Sequence, residues 1–308
     1  MINILYCFDE NYNRQTYISI YSILRLLKPE QKIRIYVIHK NPDTFEDYAN
    51  HLLENENLDS LNIFKFNDTF SFPNVSSTHV SEATYYRLLI ENYLPEHIDN
   101  ILYLDADVIA LNSPYEICEN IFRDLMKTDH IIGVSTEIFN YSTNEHFQNI
   151  ELCTYKYFNA GVMFINYKNW KNSNLHSSFS NKVEKYKDVI KLWDQDILNN
   201  HFQGDYMEIS TLLNFRANSD NNKALLENNI VFYHFSGDHK PWLLKGSLDY
   251  TAKIFFDIYF EISGKKYFFT RTTGKSQFLK TLFNILLRKK FWLISNKRAF
   301  ITEALKNL

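Results

Sequence analysis

The sequence predicts an α/β fold with a mostly parallel central sheet and helices on both faces. Strand and helix patterns alternate from the start of the chain, and the apolar run Ile101-Leu102-Tyr103-Leu104 stops abruptly on Asp105-Ala106-Asp107. Alternation of this kind places helices against a parallel sheet. An unbroken apolar run marks a strand buried on both of its faces.

Asn3 to Phe8 reads as the first buried strand, and Thr16 to Leu27 as a helix that Pro29 stops. A second strand follows at Ile33 to Ile38, a helix at Asp43 to Glu54, and a third strand at Leu61 to Phe66 with clear alternation. Glu82 to Tyr93 is expected to be helical, which places Arg87 on one of its faces, and Pro95 separates it from the central strand. Further helices are expected at Pro114 to Met126, Ser178 to Val189 and Asp196 to Phe202, with short strands at Ile131 to Val134 and Val231 to Phe235. Tyr157 to Asn166 reads as a loop feeding a buried strand, with Gly161 allowing close backbone approach.

In an extended strand, side chains two apart point the same way, so Asp105 and Asp107 can converge on one hard cation such as Mn²⁺ or Mg²⁺. The same residues would also serve to end a strand and form a turn. Two other polar concentrations accompany them: Trp193-Asp194-Gln195-Asp196, and the turn His234-Phe235-Ser236-Gly237-Asp238-His239-Lys240-Pro241-Trp242.

Composition excludes several classes. Hydrophobic residues make up 45% and aromatics 16% of the 308 residues, so the chain is globular and not disordered. Seven glycines and no Gly-x-Gly-x-x-Gly after the first strand argue against dinucleotide and P-loop chemistry. Cys7, Cys118 and Cys153 are odd in number and far apart, which suits packing roles in a reducing compartment. The opening residues carry no signal-peptide pattern, and Lys280, Asn284 and Arg288-Lys289-Lys290 interrupt the longest apolar stretch. The expected location is therefore cytoplasmic, without a membrane span.

Leu104-Asp105-Ala106-Asp107, Asn159-Ala160-Gly161-Val162, Asp194-Gln195-Asp196 and the His234 to Trp242 turn together resemble glycosyltransferase family 8, and within it the bacterial galactosyl- and glucosyltransferases of lipopolysaccharide synthesis. The resemblance runs from about residue 3 to about 245. It implies a GT-A fold, a UDP-hexose donor with UDP-galactose or UDP-glucose favoured, Mn²⁺ (or Mg²⁺), and transfer with retention. Asp105, Asp107 and His234 would be the metal ligands. The implied donor-binding residues are Cys7, Asp9, Asn11, Tyr12, Arg87, Asp105, Ala106, Asp107, Asn159, Ala160, Gly237 and Lys240. Of these, Asp9 and Asn11 match positions for the base and ribose, Tyr12 for stacking on uracil, Arg87 for the donor sugar or pyrophosphate, and Lys240 for the β-phosphate. Gln195 matches the residue beside the β face of the sugar. An amide is a poor nucleophile, so front-face attack is favoured over a covalent intermediate, with Gln195 steadying the oxocarbenium-like centre and Asp194 holding donor hydroxyls. His79 falls in a region that the family uses for the acceptor. In the loop after the strand at 131–134, Glu137 departs from the aspartate that the family often carries, which leaves the hexose open.

Beyond residue 250 the resemblance fades. Residues 265–300 hold ten Lys or Arg and no Asp or Glu. Phe278, Leu279, Leu282, Phe283 and Leu286 share one helical face, so residues 251–308 are expected to form a basic segment that lies on an anionic membrane surface. Nucleic acid is not expected, since no recognised binding fold accompanies the charge. The expected acceptor is a glycan or glycolipid at that surface. Two rival readings of the whole chain are a haloacid-dehalogenase-like phosphatase, whose first motif Leu104 to Val108 also resembles, and a nucleotide-sugar-binding protein without transfer activity.

Overall fold

The computed structural model describes residues 1–68, 72–73, 81–137, 145–216, 229–237, 240–243, 246–249, 251–266 and 283. His79 and, of the basic segment, residues 267–282 and 284–308 lie outside them.

The chain opens with β1 (Ile2–Phe8), α1 (Asn13–Leu24), β2 (Ile33–His39), α2 (Glu46–Leu53) and β3 (Leu58–Lys65). Helix α1 starts three residues before the expected Thr16. The Asp9 carboxylate caps a 3₁₀ turn, accepting a 3.0 Å hydrogen bond from Asn11 N–H, and that turn runs straight into the helix. Next come β4 (Asn100–Leu104), β5 (Val108–Ala110), α3 (Tyr115–Leu125), β6 (Ile132–Val134) and β7 (Thr136–Glu137). After α4 (Glu145–Asn149), the chain forms β8 (Tyr157–Phe158), β9 (Val162–Asn166), α5 (Tyr167–Asn172), α6 (Leu175–Tyr186) and α7 (Trp193–Phe202). It closes on β10 (Met207–Glu208), β11 (Phe232–His234) and α8 (Ala252–Ser263).

Seven strands form the central sheet in the order β10-β6-β9-β4-β1-β2-β3. All pairings are parallel except those of β9, which runs antiparallel to both β4 and β6. Strand alternation divides the core in two. Ile4, Tyr6, Leu102, Leu104, Val162 and Phe164 face a layer built from α1, α2, α3 and α8. Leu5, Cys7, Ile101, Tyr103, Met163 and Ile165 face the layer of Tyr85, Leu88, Trp170, Phe179 and Leu198. Because Ala252, Phe255, Phe256 and Ile258 of α8 pack into the first layer, packing continues past the boundary at residue 250 suggested by the sequence.

The segment Glu82–Asn92 is a 3₁₀ helix kinked at Leu89, in place of the expected α-helix. Within it, Arg87 Nε–H donates to the Thr84 carbonyl at 3.0 Å.

Candidate active site

The sheet delivers its functional groups where β4 ends. Asp105 N–H donates to the Gly161 carbonyl at 2.8 Å, extending the β4–β9 pairing by one residue, and Val108 N–H returns to the Asp105 carbonyl at 3.1 Å. Asp105 and Asp107 thus flank a tight turn. Their convergence comes from that turn, not from the strand alternation expected for i, i+2 neighbours. The third group arrives from far along the chain: β11 pairs antiparallel with β5, setting His234 opposite Val108, and Phe235 N–H donates to the Asp107 carbonyl at 3.0 Å.

One ligand atom from each of Asp105, Asp107 and His234 lies within 4.8 Å of the others. His234 Nε2 stands 3.2 Å from Asp107 Oδ1 and 3.9 Å from Asp105 Oδ2. The remaining carboxylate oxygens are already engaged. Asp105 Oδ1 accepts from Tyr103 OH at 2.8 Å and faces Arg87 Nη2 at 3.1 Å, while Asp107 Oδ2 holds Lys240 Nζ. His234 Nδ1 pairs with the Asn214 amide oxygen at 3.0 Å and must donate there, which leaves a lone pair on Nε2 of the neutral ring. Asp107 Oδ1 is buried and accepts no hydrogen bond. Two carboxylate oxygens and one imidazole nitrogen therefore face each other with no hydrogen among them, a donor set that fits a divalent cation such as Mn²⁺ or Mg²⁺.

Electrostatics separates the carboxylates. Burial alone would raise the Asp107 pKa, but the Lys240 ammonium overrides it and holds the group well below the ordinary carboxylate value. Gly161 is obligatory at this point, because a Cβ there would sit 2.2 Å from His234 Cε1 and 2.9 Å from Asp105 Oδ2. The close approach expected of this glycine is thus made by the His234 ring.

The facing wall comes from α7 and the 3₁₀ helix. Asp194 is fully buried and contacts Arg87 Nε at 2.7 Å, while Thr84 Oγ1–H donates to its other oxygen. Burial dominates and raises its pKa to about 6, against the lowering by Arg87 and Thr84. The Arg87 guanidinium is itself committed: Nη1 donates to the Ala160 carbonyl at 2.6 Å, Nη2 to Thr84 Oγ1 at 2.8 Å, and the group lies 4.3 Å from the Tyr103 ring centroid. It bridges Asp105 and Asp194 from below. Gln195 Oε1 accepts from Asn159 Nδ2 at 3.0 Å and from Ala160 N–H at 3.1 Å. Asp196 turns away from the cleft: it accepts from Tyr157 OH at 2.7 Å and from the N–H groups of Lys191 and Leu192, and it pairs with His146.

These walls enclose a cleft of about 500 Å³, the size of a small-molecule site. The residues expected from the sequence that line it are Cys7, Tyr12, Arg87, Asp105, Ala106, Asp107, Asn159, Ala160, Asp194, Gln195, His234, Gly237 and Lys240. Asp9 and Asn11 are not part of the lining; Asp9 spends its carboxylate on the cap. Lys240 lines the cleft, yet its Nζ is held by Asp107 and by the Phe235 carbonyl at 3.0 Å. Trp193, the first residue of the second polar concentration, also lines it, as do Thr84 and Arg216, which were not anticipated. Trp193 has φ +52°, an unusual conformation for an aromatic residue and the one local sign of constraint at this turn. Glu137 is buried against Arg216 Nη1, and burial raises its pKa above the ordinary value.

A sequence model described as Glycosyl transferase family 8 matches residues 3–246. The chain belongs to glycosyltransferase family 8. Among its relatives are a lipopolysaccharide 1,2-glucosyltransferase of Escherichia coli, 29% identical over 78% of this chain and 73% of the relative, and a lipopolysaccharide 1,3-galactosyltransferase of Salmonella typhimurium, 27% identical over 78% and 72%. A putative glycosyltransferase of Haemophilus influenzae is 28% identical over 80% and 74%. The crystal structure of the galactosyltransferase LgtC in complex with donor and acceptor sugar analogs superposes with a TM-score of 0.70 at 26% identity, covering 85% of this chain and 96% of that one. The family 8 chain therefore has the GT-A architecture. Membership also removes the phosphatase reading, since the Asp105 to Asp107 turn lies within the matched domain. No helix among the described residues is long and apolar enough to cross a membrane.

Proposed function

We propose that this family 8 glycosyltransferase moves a hexose from a UDP-hexose, UDP-galactose or UDP-glucose, to a lipopolysaccharide, lipooligosaccharide or other cell-surface glycan, with retention at the anomeric carbon. The observation that carries the proposal is the placement of the Asp105, Asp107 and His234 cluster on the same cleft as Tyr12, Asp194 and Gln195. Asp105, Asp107 and His234 would hold Mn²⁺, which supplies positive charge to the leaving diphosphate when bound. Lys240, buried beside Asp107, adds a second cation for that charge. Tyr12, packed edge-on against Trp242 at 5.9 Å, offers its ring to the base. Asp194 accepts from donor hydroxyls. The bonds that Gln195 Oε1 makes to Asn159 and Ala160 oppose a nucleophilic role for it, which favours front-face transfer.

A UDP-release screen of four UDP-sugars, with Mn²⁺ or with chelator, tests the reading. Metal-dependent turnover of one donor identifies the sugar. Metal-dependent UDP binding without turnover, across a panel of glycan acceptors, would instead favour a binding protein. The basic segment is proposed to hold the enzyme on the inner face of the cytoplasmic membrane. Flotation with anionic vesicles, with and without residues 265–308, tests that part separately, and undiminished flotation of the truncated chain refutes it.

A further inference from the structure

Four side chains on four separate segments form one hydrogen-bonded line beneath the cleft. His234 Nδ1–H donates to Asn214 Oδ1 at 3.0 Å, Asn214 Nδ2–H to Asn159 Oδ1 at 3.0 Å, and Asn159 Nδ2–H to Gln195 Oε1 at 3.0 Å. An amide can in principle be turned end for end, but backbone groups fix each orientation here. Gly161 N–H donates to Asn159 Oδ1 at 3.0 Å, and Ala160 N–H donates to Gln195 Oε1 at 3.1 Å, so both oxygens must be acceptors. The second Asn214 Nδ2 contact is the Asn159 carbonyl at 3.4 Å, which accepts and cannot donate. The polarity of the line is therefore unique.

We infer that Asn214 is a positioning residue that joins the metal ligand His234 to Gln195, holding one as the Nδ1–H tautomer and the other with only donor hydrogens to offer a ligand. Buried at 5% exposure, Asn214 lies outside the cleft lining and touches the cation site only through the imidazole. Its oxygen keeps a proton on Nδ1 and the lone pair on Nε2, the arrangement a metal requires. Its nitrogen, through Asn159, keeps Gln195 Oε1 occupied. The Gln195 amide hydrogens then remain for the Tyr157 hydroxyl and for a sugar oxygen. Gln195 acts on the donor as a hydrogen-bond donor, not as a carbonyl aimed at the anomeric carbon.

This inference deepens the proposed function, and the transfer part of its test rests on that reading. Two substitutions cut the line at different places. Asn214→Asp retains an acceptor for His234 Nδ1–H but loses the donor to Asn159; Asn214→Leu loses both. Long-range ¹H–¹⁵N spectra of the full chain in saturating diamagnetic Mg²⁺ should show His234 as the Nδ1–H tautomer in the wild type and in N214D, and a shift toward Nε2–H in N214L. Mn²⁺ affinity should be retained in N214D and fall about 10–100-fold in N214L, the usual cost of losing a partner of a metal-bound histidine. UDP release should fall at least about tenfold in both variants, in N214D through kcat. An unchanged tautomer and Mn²⁺ affinity in N214L would overturn the metal half of the line. Full turnover in N214D would overturn the Gln195 half. Should N214L fail to fold, Asn214→Ala, which also removes the acceptor, replaces it in the tautomer and Mn²⁺ measurements, and the turnover of N214D still decides the Gln195 half. Should the wild type transfer no sugar at all, the proposed function fails while the spectra and Mn²⁺ titrations judge Asn214 independently.

Discussion

The chain carries two Asp-x-Asp triplets, Asp105-Ala106-Asp107 and Asp194-Gln195-Asp196, and the fold treats them oppositely. In the first, a tight turn after β4 directs one oxygen from each aspartate toward His234, while Arg87 and Lys240 engage the others. In the second, the first turn of α7 sends the side chains apart: Asp194 into an ion pair with Arg87, Asp196 back onto the chain that precedes the helix. Identical spacing therefore yields a candidate cation site in one place and, in the other, one carboxylate in the cleft wall and one that ties down the chain before the helix. Backbone conformation and the sign of the neighbours decide between them.

The largest test of that contrast is Asp196→Ala. It would strip Tyr157, His146 and two backbone N–H groups of their shared acceptor, and stability should fall by about 3 kcal/mol or more in denaturant melts, with Mn²⁺ affinity of the folded fraction unchanged. A variant that weakens Mn²⁺ binding instead would erase the distinction. For the first triplet, Asp107→Asn keeps the volume and should weaken Mn²⁺-dependent UDP-sugar binding by more than about a hundredfold in calorimetry, a ligand costing more than its outer partners do. Affinity within error of wild type would refute the cation site. Gln195→Ala should lower kcat about tenfold while donor affinity changes less, the pattern of an interaction made mainly in the transition state. Equal losses in both would contradict its role.

The smallest expected effect is a pH dependence. Asp194, with its pKa raised to about 6, binds a proton in the folded state at pH values where the unfolded chain has released it. Its contribution to stability is thus full below about pH 4 and lost as pH rises through 6. The stability difference between wild type and Asp194→Asn should decline by about 1 kcal/mol from pH 4 to pH 7, the Arg87 pairing muting the full linkage. Asp107 has the opposite sign: its pKa is lowered, so its contribution is full above the ordinary carboxylate value and is lost in acid. A wild-type minus D194N difference that grows with pH would show that the buried Asp194 carboxylate is stabilised rather than strained.

Much of this was legible in the residues. The unbroken apolar runs located β1, β2 and β4, and Gly161 announced a close approach that the His234 ring makes. Partner choice was harder to read. Arg87 lines the cleft, but no motif announced that its buried guanidinium would be bound to Asp105, Asp194, Thr84 and Ala160, as a buried cation requires. Thr84 and Arg216 belong to no motif, and only the folded backbone brings them to the cleft. Asn214 left no trace because its role depends on atoms of His234 and Asn159, one twenty residues ahead and the other fifty-five behind.

The β5–β11 ribbon has a consequence for how the molecule comes into being. His234 follows Asp105 by 234 − 105 = 129 positions, and nothing nearer in the chain supplies the third ligand among the described residues. A nascent chain that has emerged from the ribosome only as far as β10 can form most of the central sheet and already carries both aspartates, yet it has no imidazole to complete the set. The three-ligand set therefore becomes complete only after His234 has emerged and β11 has paired with β5.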